Sequence, residues 1–245
     1  MDMSNKKNIL GIVPARGGSK GIPGKNIKEF CGKPLMAWTI ESALKSEAVS
    51  RLIVSTDDFK IAEIAKQYGA EVPFMRPAEL AQDASPTLPA LVHAVKYLAD
   101  NENYKPDYVL LLESTSPGRQ PFHIKEAVKL IIKTEADSVV SMKEVATAYS
   151  PFWQFKIDQN GKMELFTGQP IKEIITRRQE LPKTYVRNGS IYLFKTNLLF
   201  ESPPSIYGDD VRPYLTDEVY SLDIDTPQDW AEAEEKMRNI LKKEI

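Results

Sequence analysis

The amino-acid sequence predicts an α/β fold with a doubly wound, mostly parallel sheet, and three observations carry that expectation. Apolar runs of strand length alternate with segments of helical period along most of the chain. The strands are almost wholly apolar, which requires a sheet covered on both faces. A glycine-rich loop leaves the first strand at its carboxyl end, where open α/β sheets hold their ligands. The rhythm breaks once, between about residues 144 and 186, and that stretch reads as a small inserted arm.

The elements follow in order. Ile9 to Pro14 is a compact strand, and beyond its loop Met36, Ile40, Ala43 and Leu44 fall on one helix face. Leu52 to Val54 is a second strand, followed by a helix with Ile61, Ile64, Ala65 and Tyr68 aligned. A further helix carries Leu88, Leu91, Val92 and Val95. Then come the strand Tyr108 to Leu112, a helix with Ile124, Ala127, Val128, Ile131 and Ile132 on one side, and the strand Ser138 to Ser141. From Pro151 to Lys183 no period is strong, and Asp158 to Gly161 reads as a turn. Ile191 to Phe194 returns to the core. Thr226, Pro227 and Asp229 read as N-cap, N1 and N3 of a last helix that turns Trp230, Ala233, Met237 and Leu241 inward.

A chain of 245 residues can fold as one domain, 1 to 245 with the arm inside it, and bury about three quarters of the surface it exposes when unfolded. The 32 basic and 34 acidic residues leave a net charge of −2, no field for a nucleic-acid backbone or an anionic membrane. A bound anion must therefore be met by a local cluster. The single cysteine, Cys31, allows neither an intrachain disulfide nor a thiolate zinc site, as expected in a reducing cytoplasm. The start, Met1 to Lys7, is polar, and the apolar run behind it is too short for a signal sequence or a membrane span.

The loop Pro14-Ala-Arg-Gly-Gly-Ser-Lys-Gly-Ile-Pro-Gly-Lys-Asn26 carries the chemistry. Its four glycines allow close approach of backbone N–H groups, and Arg16, Lys20 and Lys25 place three cations within ten residues, a composition suited to a polyphosphate. It is not a Walker A loop, because Gly18 to Gly24 is one residue too long and Asn26 replaces the magnesium-binding hydroxyl. Gly17 to Gly21 matches the hydrolase elbow Gly-x-Ser-x-Gly, yet Pro23 and Gly24 follow where a helix must begin.

This loop resembles the nucleotide-binding signature of the acylneuraminate cytidylyltransferases, the CMP-sialic acid synthetases. Four more blocks resemble that family in the same order: Arg76-Pro-Ala-Glu-Leu-Ala, Leu111-Leu-Glu-Ser-Thr-Ser-Pro117, Arg187-Asn-Gly-Ser-Ile-Tyr192 and Asp223-Ile-Asp-Thr-Pro227. The resemblance implies a Rossmann-like nucleotidyltransferase that moves CMP from CTP to the anomeric hydroxyl of an acidic nine-carbon, or eight-carbon, sugar. It further implies Mg2+ as cofactor and a homodimer.

By the same resemblance Ala15, Arg16, Gly17, Gly18, Ser19, Lys20, Lys25 and Asn26 bind the nucleotide, Arg76 meets the cytosine, and Ser85 lies near it. Arg16, Lys20 and Lys25 would neutralise the triphosphate and the leaving pyrophosphate. Asp223 and Asp225 alternate along an extended segment, so both carboxylates leave one face and could hold the metal; the same motif also reads as a turn and helix cap. Glu113, Arg178, Asn188 and Tyr192 fall at sugar-site positions. Arg178 would reach the sugar carboxylate from the arm of the other subunit. Arg177 and Arg178 read equally as a solvated pair, and Tyr192 as core.

Glu113, Ser114 and Gly118 depart from the family pattern Gln-Pro-Thr-Ser-Pro-Leu-Arg. A carboxylate at 113 accepts where an amide also donates, which points to a different sugar, such as a legionaminic- or pseudaminic-type acid. Enzymes for 3-deoxy-manno-octulosonate and a non-catalytic nucleotide-binding module are the alternatives. His93 and His123 read as surface or helix-end residues, and no general base stands out.

Overall fold

The computed structural model describes residues 7–83 and 85–243, so Met1 to Lys6 of the polar start lie outside the described residues. In chain order the elements are β1 (Ile9–Pro14), β2 (Glu29–Phe30), β3 (Lys33–Pro34), α1 (Leu35–Lys45), β4 (Arg51–Ser55), α2 (Phe59–Gln67) and α3 (Thr87–Glu102). They continue with β5 (Tyr108–Leu111), α4 (Pro121–Thr134), β6 (Ser138–Glu144), β7 (Phe155–Ile157), β8 (Met163–Leu165), β9 (Tyr185–Lys195), β10 (Val211–Leu215) and α5 (Pro227–Lys243).

Six strands form the central sheet in the order β10-β6-β9-β5-β1-β4. β1 pairs in parallel with β4 and β5, and β10 with β6. Along β1, Ile9 and Val13 face one core cluster with α1, α2 and α4, while Leu10 and Ile12 face another with α3. Period-two alternation of buried apolar residues thus fills both faces, and helices cover both, as the apolar strands required. Fully burying each such side chain contributes about 1.5–3 kcal/mol. A third cluster joins Trp230, Met237 and Ile240 of α5 to Phe30, Leu35 and Ile224.

The structure departs from the sequence reading in three places. β9 is antiparallel to both neighbours, β5 and β6: the chain leaves the sheet along β6, forms the arm, and returns beside itself, which an antiparallel pair allows and a parallel crossover does not. Met142, Lys143 and Glu144 pair with Arg187, Val186 and Tyr185, so the arm stands on a two-stranded stalk, with the β7–β8 hairpin farther out. Leu44 and Ile132, expected inward, are exposed because each sits at the edge of its helix stripe. β7, β8 and β10 were not expected, being short or carrying proline.

The helix signals hold. Thr226 Oγ1 accepts from the Asp229 N–H at 3.2 Å and Asp229 Oδ2 accepts from the Thr226 N–H at 2.7 Å, a reciprocal capping box opening α5. Asp158 Oδ1 accepts from the Asn160 and Lys162 N–H groups to form the expected turn. His123 is a helix-end residue but a buried one; its Nδ1 accepts the Gln120 N–H at 3.0 Å, and burial pushes its pKa down to about 4.

Candidate active site

The sheet order reverses around β1: β4 lies on one side of it and β5, reached later, on the other. The loops leaving β1 and β5 diverge there, opening a crevice at the carboxyl ends of the strands. A cavity of about 220 Å³ occupies it, and its lining includes Arg16, Arg76, Asp83, Ser85 and Glu113. Residues far apart in sequence, expected to serve nucleotide and sugar, thus share one cavity.

The glycine-rich loop is braced from three sides. Ala15 is buried and donates its N–H to Ser55 O at 3.0 Å, so it extends the sheet. The Gly17 N–H is taken by Asp57 Oδ1 at 3.0 Å, and the Ser19 N–H by Gly17 O at 3.1 Å; these two N–H groups are used by the protein itself, a correction to a loop that turns all of them to a ligand. Gly18 stands exposed. Gly21 must be glycine because a Cβ there would lie 2.5 Å from Asp225 O. Asn26, buried, donates to Arg16 O at 2.9 Å and accepts from Ser114 Oγ at 2.5 Å, tying the loop to the segment after β5.

The three loop cations have different surroundings. Lys25, with a side chain only 13% exposed, reaches Ile224 O at 2.8 Å and Asp225 Oδ1 at 3.0 Å. Arg16 donates to Gln82 O at 2.7 Å and lies 3.3 Å from Asp83, while Lys20, largely exposed, lies 2.6 Å from the same carboxylate. Arg76 is buried and donates to Ser55 Oγ at 3.0 Å and to Ser55 O; burial lowers its pKa, against the fields of Asp57 and Glu113. Ser85 Oγ donates to Glu79 O at 3.0 Å on the cavity wall.

Asp223 and Asp225 flank fully buried Ile224 and are themselves exposed, as alternation along an extended segment requires. Neither carboxylate caps α5, since Asp229 makes that cap and also accepts the Asp225 N–H at 3.1 Å. Asp223 has its pKa raised, first by burial and then by neighbouring Asp225, with a hydrogen bond to Thr115 and the charge of Lys25 opposing. Two crowded carboxylates of this kind suit a hard divalent cation whose other ligands are phosphate oxygens and water. Among the described residues no three His, Cys, Asp or Glu side chains gather into a metal site made by protein alone.

Glu113 stands between these groups, half-buried on the cavity wall. Its pKa is pushed up to about 7, chiefly by burial; Asp223 adds to the shift, and Arg119, Lys25 and Arg76 oppose it. At neutral pH it therefore exists both as a carboxylate that accepts and as an acid that donates. The folded chain holds this proton where the unfolded chain has released it, so the group's contribution to stability declines as pH rises from 4.5 to about 7. Thermal unfolding of wild type and Glu113→Gln across that window is expected to show the wild-type Tm falling relative to the variant; parallel curves would contradict the shifted carboxyl.

Arg119 escaped the sequence reading. It is 2% exposed and donates to Ser190 O at 2.6 Å, Thr39 Oγ1 at 3.1 Å and Glu113 O at 2.7 Å, riveting the Glu113 segment to α1 and β9. Burial drives its pKa down to about 9, so it stays charged at neutral pH. Asp57 and Asp83 were missed as well. Both lie among ordinary cap and turn residues in sequence, and only folding sets them against the loop.

Asn188 is buried with its amide engaged by the fold: Oδ1 accepts from Ser141 Oγ at 2.6 Å, and Nδ2 donates to Thr216 Oγ1 at 2.6 Å and Ser221 Oγ at 2.8 Å. Tyr192 packs in the core cluster beside α3, near enough to Glu113 and Asp223 for their charges to raise its pKa after burial has done so. Arg178 lies on the exposed arm, donating to Thr147 Oγ1 at 3.3 Å, and is not part of the cavity lining.

Comparison with known proteins agrees with this architecture. The family model described as cytidylyltransferase matches residues 10–242. The CMP-N,N'-diacetyllegionaminic acid synthase of Legionella pneumophila is 40% identical over 94% of this chain and 96% of that protein. The pseudaminic acid cytidylyltransferase of Campylobacter jejuni is 33% identical over 91% and 93%. The N-acylneuraminate cytidylyltransferase A of Danio rerio is 33% identical over 94% of this chain and 51% of that protein. A solved CMP:2-keto-3-deoxy-manno-octonic acid synthetase complexed with CTP shares the fold, with a TM-score of 0.69, 17% identity, and coverage of 97% of this chain and 100% of that one. The crevice at the switch point, the five motif blocks that border it and these relatives place the chain in the cytidylyltransferase family, with the acylneuraminate cytidylyltransferases.

Proposed function

We propose that the protein transfers CMP from CTP to the anomeric hydroxyl of a sialic-acid-like 2-keto-3-deoxy sugar acid and releases pyrophosphate. The observation that carries this reading is the convergence of Arg16, Arg76, Ser85 and Glu113 on one cavity, with Lys25 and Asp225 paired beside it. Arg76 and Ser85 hold the base, and Arg16, Lys20 and Lys25 hold the triphosphate. The sugar oxygen attacks the α-phosphorus, the bond to the bridging oxygen breaks, its electron pair leaves on pyrophosphate, and the hydroxyl proton is released to solvent. Fixed cations beside the leaving group stabilise the charge that grows there, which is where positioning and electrostatics carry phosphoryl transfer.

Asp223 and Asp225 would hold Mg2+, which supplies charge neutralisation for the phosphates and a lowered pKa for a hydroxyl near it. Glu113 faces the acceptor; in its two protonation states it can accept from an acetamido N–H or donate to a hydroxyl, which supports an N-acylated, legionaminate-type acid. The arm exposes Tyr149, Ile157 and Phe166, which supports a homodimer whose arms carry Arg178 to each other's acceptor site. The lone Cys31 supports a reducing, cytoplasmic setting.

The test is pyrophosphate release with each of the four nucleoside triphosphates, with and without Mg2+, against N-acetylneuraminate, legionaminate, pseudaminate and 3-deoxy-manno-octulosonate. Release is expected with CTP, Mg2+ and a legionaminate-type acid. Glu113→Gln is expected to shift kcat/KM toward N-acetylneuraminate by about tenfold, one good hydrogen bond's worth; unchanged preference removes Glu113 as the selector. CTP binding without release on any acid would overturn the transfer reaction.

A further inference from the structure

Two of the three loop cations are already matched to an anion that belongs to the chain. Asp83 Oδ1 lies 3.3 Å from Arg16 Nη1, and Asp83 Oδ2 lies 2.6 Å from Lys20 Nζ. Each oxygen of one carboxylate thus takes one cation, the bidentate arrangement that two oxygens of a phosphate would offer. Asp83 also lines the cavity with Arg16, Arg76 and Glu113. Its neighbour Gln82 accepts from the same Arg16 nitrogen at 2.7 Å. Among the described residues, the ion pairs of the Asp83 carboxylate go to these two cations alone. Holding them is therefore its evident task, and it caps no helix and ties down no backbone N–H.

We propose that Asp83 is a positioning residue that competes with phosphate for Arg16 and Lys20, keeping both cations at the cavity mouth and reclaiming them as pyrophosphate leaves. This rests on the nucleotide reading of the loop given above. Lys25 works differently: it is held by Ile224 O and Asp225, is mostly buried, and is not contested by Asp83. Lys20 is 81% exposed, with a long stem free to swing from carboxylate to phosphate. The hydrogen bond from Lys20 keeps the Asp83 pKa low, so the competitor stays ionised at neutral pH. An exposed pair of this sort is weak enough for a triphosphate to displace, yet strong enough to speed release of a tightly held product.

Calorimetric titration of the full chain and of Asp83→Asn with inorganic pyrophosphate, CTP and the other nucleoside triphosphates, all with Mg2+, separates the possibilities. Asp83→Asn is expected to bind pyrophosphate and CTP about three- to tenfold more tightly, and pyrophosphate is expected to inhibit turnover at correspondingly lower concentration. Asp83→Glu, which can pair both cations again, is expected to return to wild-type affinity. A residue that merely shapes the loop would lose affinity on substitution, so equal or weaker pyrophosphate binding by Asp83→Asn overturns the inference whatever CTP does. Tighter pyrophosphate binding with no preference for CTP supports the inference and overturns the cytidylyl reading. Failure of both proteins to bind pyrophosphate overturns both.

Discussion

Replacing Lys25 with methionine is expected to lower kcat/KM for CTP by about a hundred- to a thousandfold, the usual cost of removing one fixed charge-stabilising donor from a transfer site. Lys25 alone among the loop cations is anchored, through Ile224 O at 2.8 Å and Asp225 at 3.0 Å, so its charge stays where it is needed without reorganisation. It also offsets the two carboxylates beside it: its field is one of those that lower the raised pKa of Asp223. Methionine keeps the aliphatic stem but removes the charge and leaves Ile224 O unpaired. Steady-state kinetics beside thermal unfolding checks this. A loss confined to Tm, with kcat/KM retained in the folded fraction, would make Lys25 a brace for the loop only. Lys25→Arg is expected to recover part of the activity, because the charge returns with a different reach.

Asp223→Asn is the second large effect, with kcat expected to fall by about a hundredfold or more and the Mg2+ concentration for half-maximal rate to rise. The argument lies in crowding: burial and the Asp225 charge both disfavour ionised Asp223, and a divalent cation between the carboxylates would reverse that penalty. Since Thr226 and Asp229 make the α5 cap, this substitution leaves the helix start intact and Tm close to wild type. A Mg2+ titration of the rate reads the outcome. An unchanged Mg2+ requirement with reduced kcat would assign Asp223 to phosphate or sugar positioning and remove it from the metal.

The alternation of apolar strands with 3.6-period helices was legible from sequence because each element's burial is written in its own spacing. The α5 start was legible for the same reason: its capping box is a contact among residues three apart. The basic character of the loop, and the five blocks resembling acylneuraminate cytidylyltransferases, also stand in local composition and order. Where reading failed, the controlling partner was distant. β9 runs antiparallel because of how the arm returns, and nothing inside Tyr185–Lys195 records direction. Leu44 and Ile132 are exposed because of where the neighbouring helices end, not because of their own period.

The site divides the same way. Residue types, three cations, two alternating aspartates and a glutamate in place of an amide, were determined by the sequence alone, since chemistry belongs to the side chain. Their charge states and duties were decided by tertiary structure. Glu113 has a pKa of about 7 because folding buries it beside Asp223. Asn188 is engaged by the fold because Ser141, Thr216 and Ser221 surround it. Arg16 and Lys20 meet Asp83 across more than sixty residues. Spacing along the chain encodes period and caps, but dielectric, pairing and competition depend on distances through space, and those exist only once the sheet has brought its carboxyl ends together.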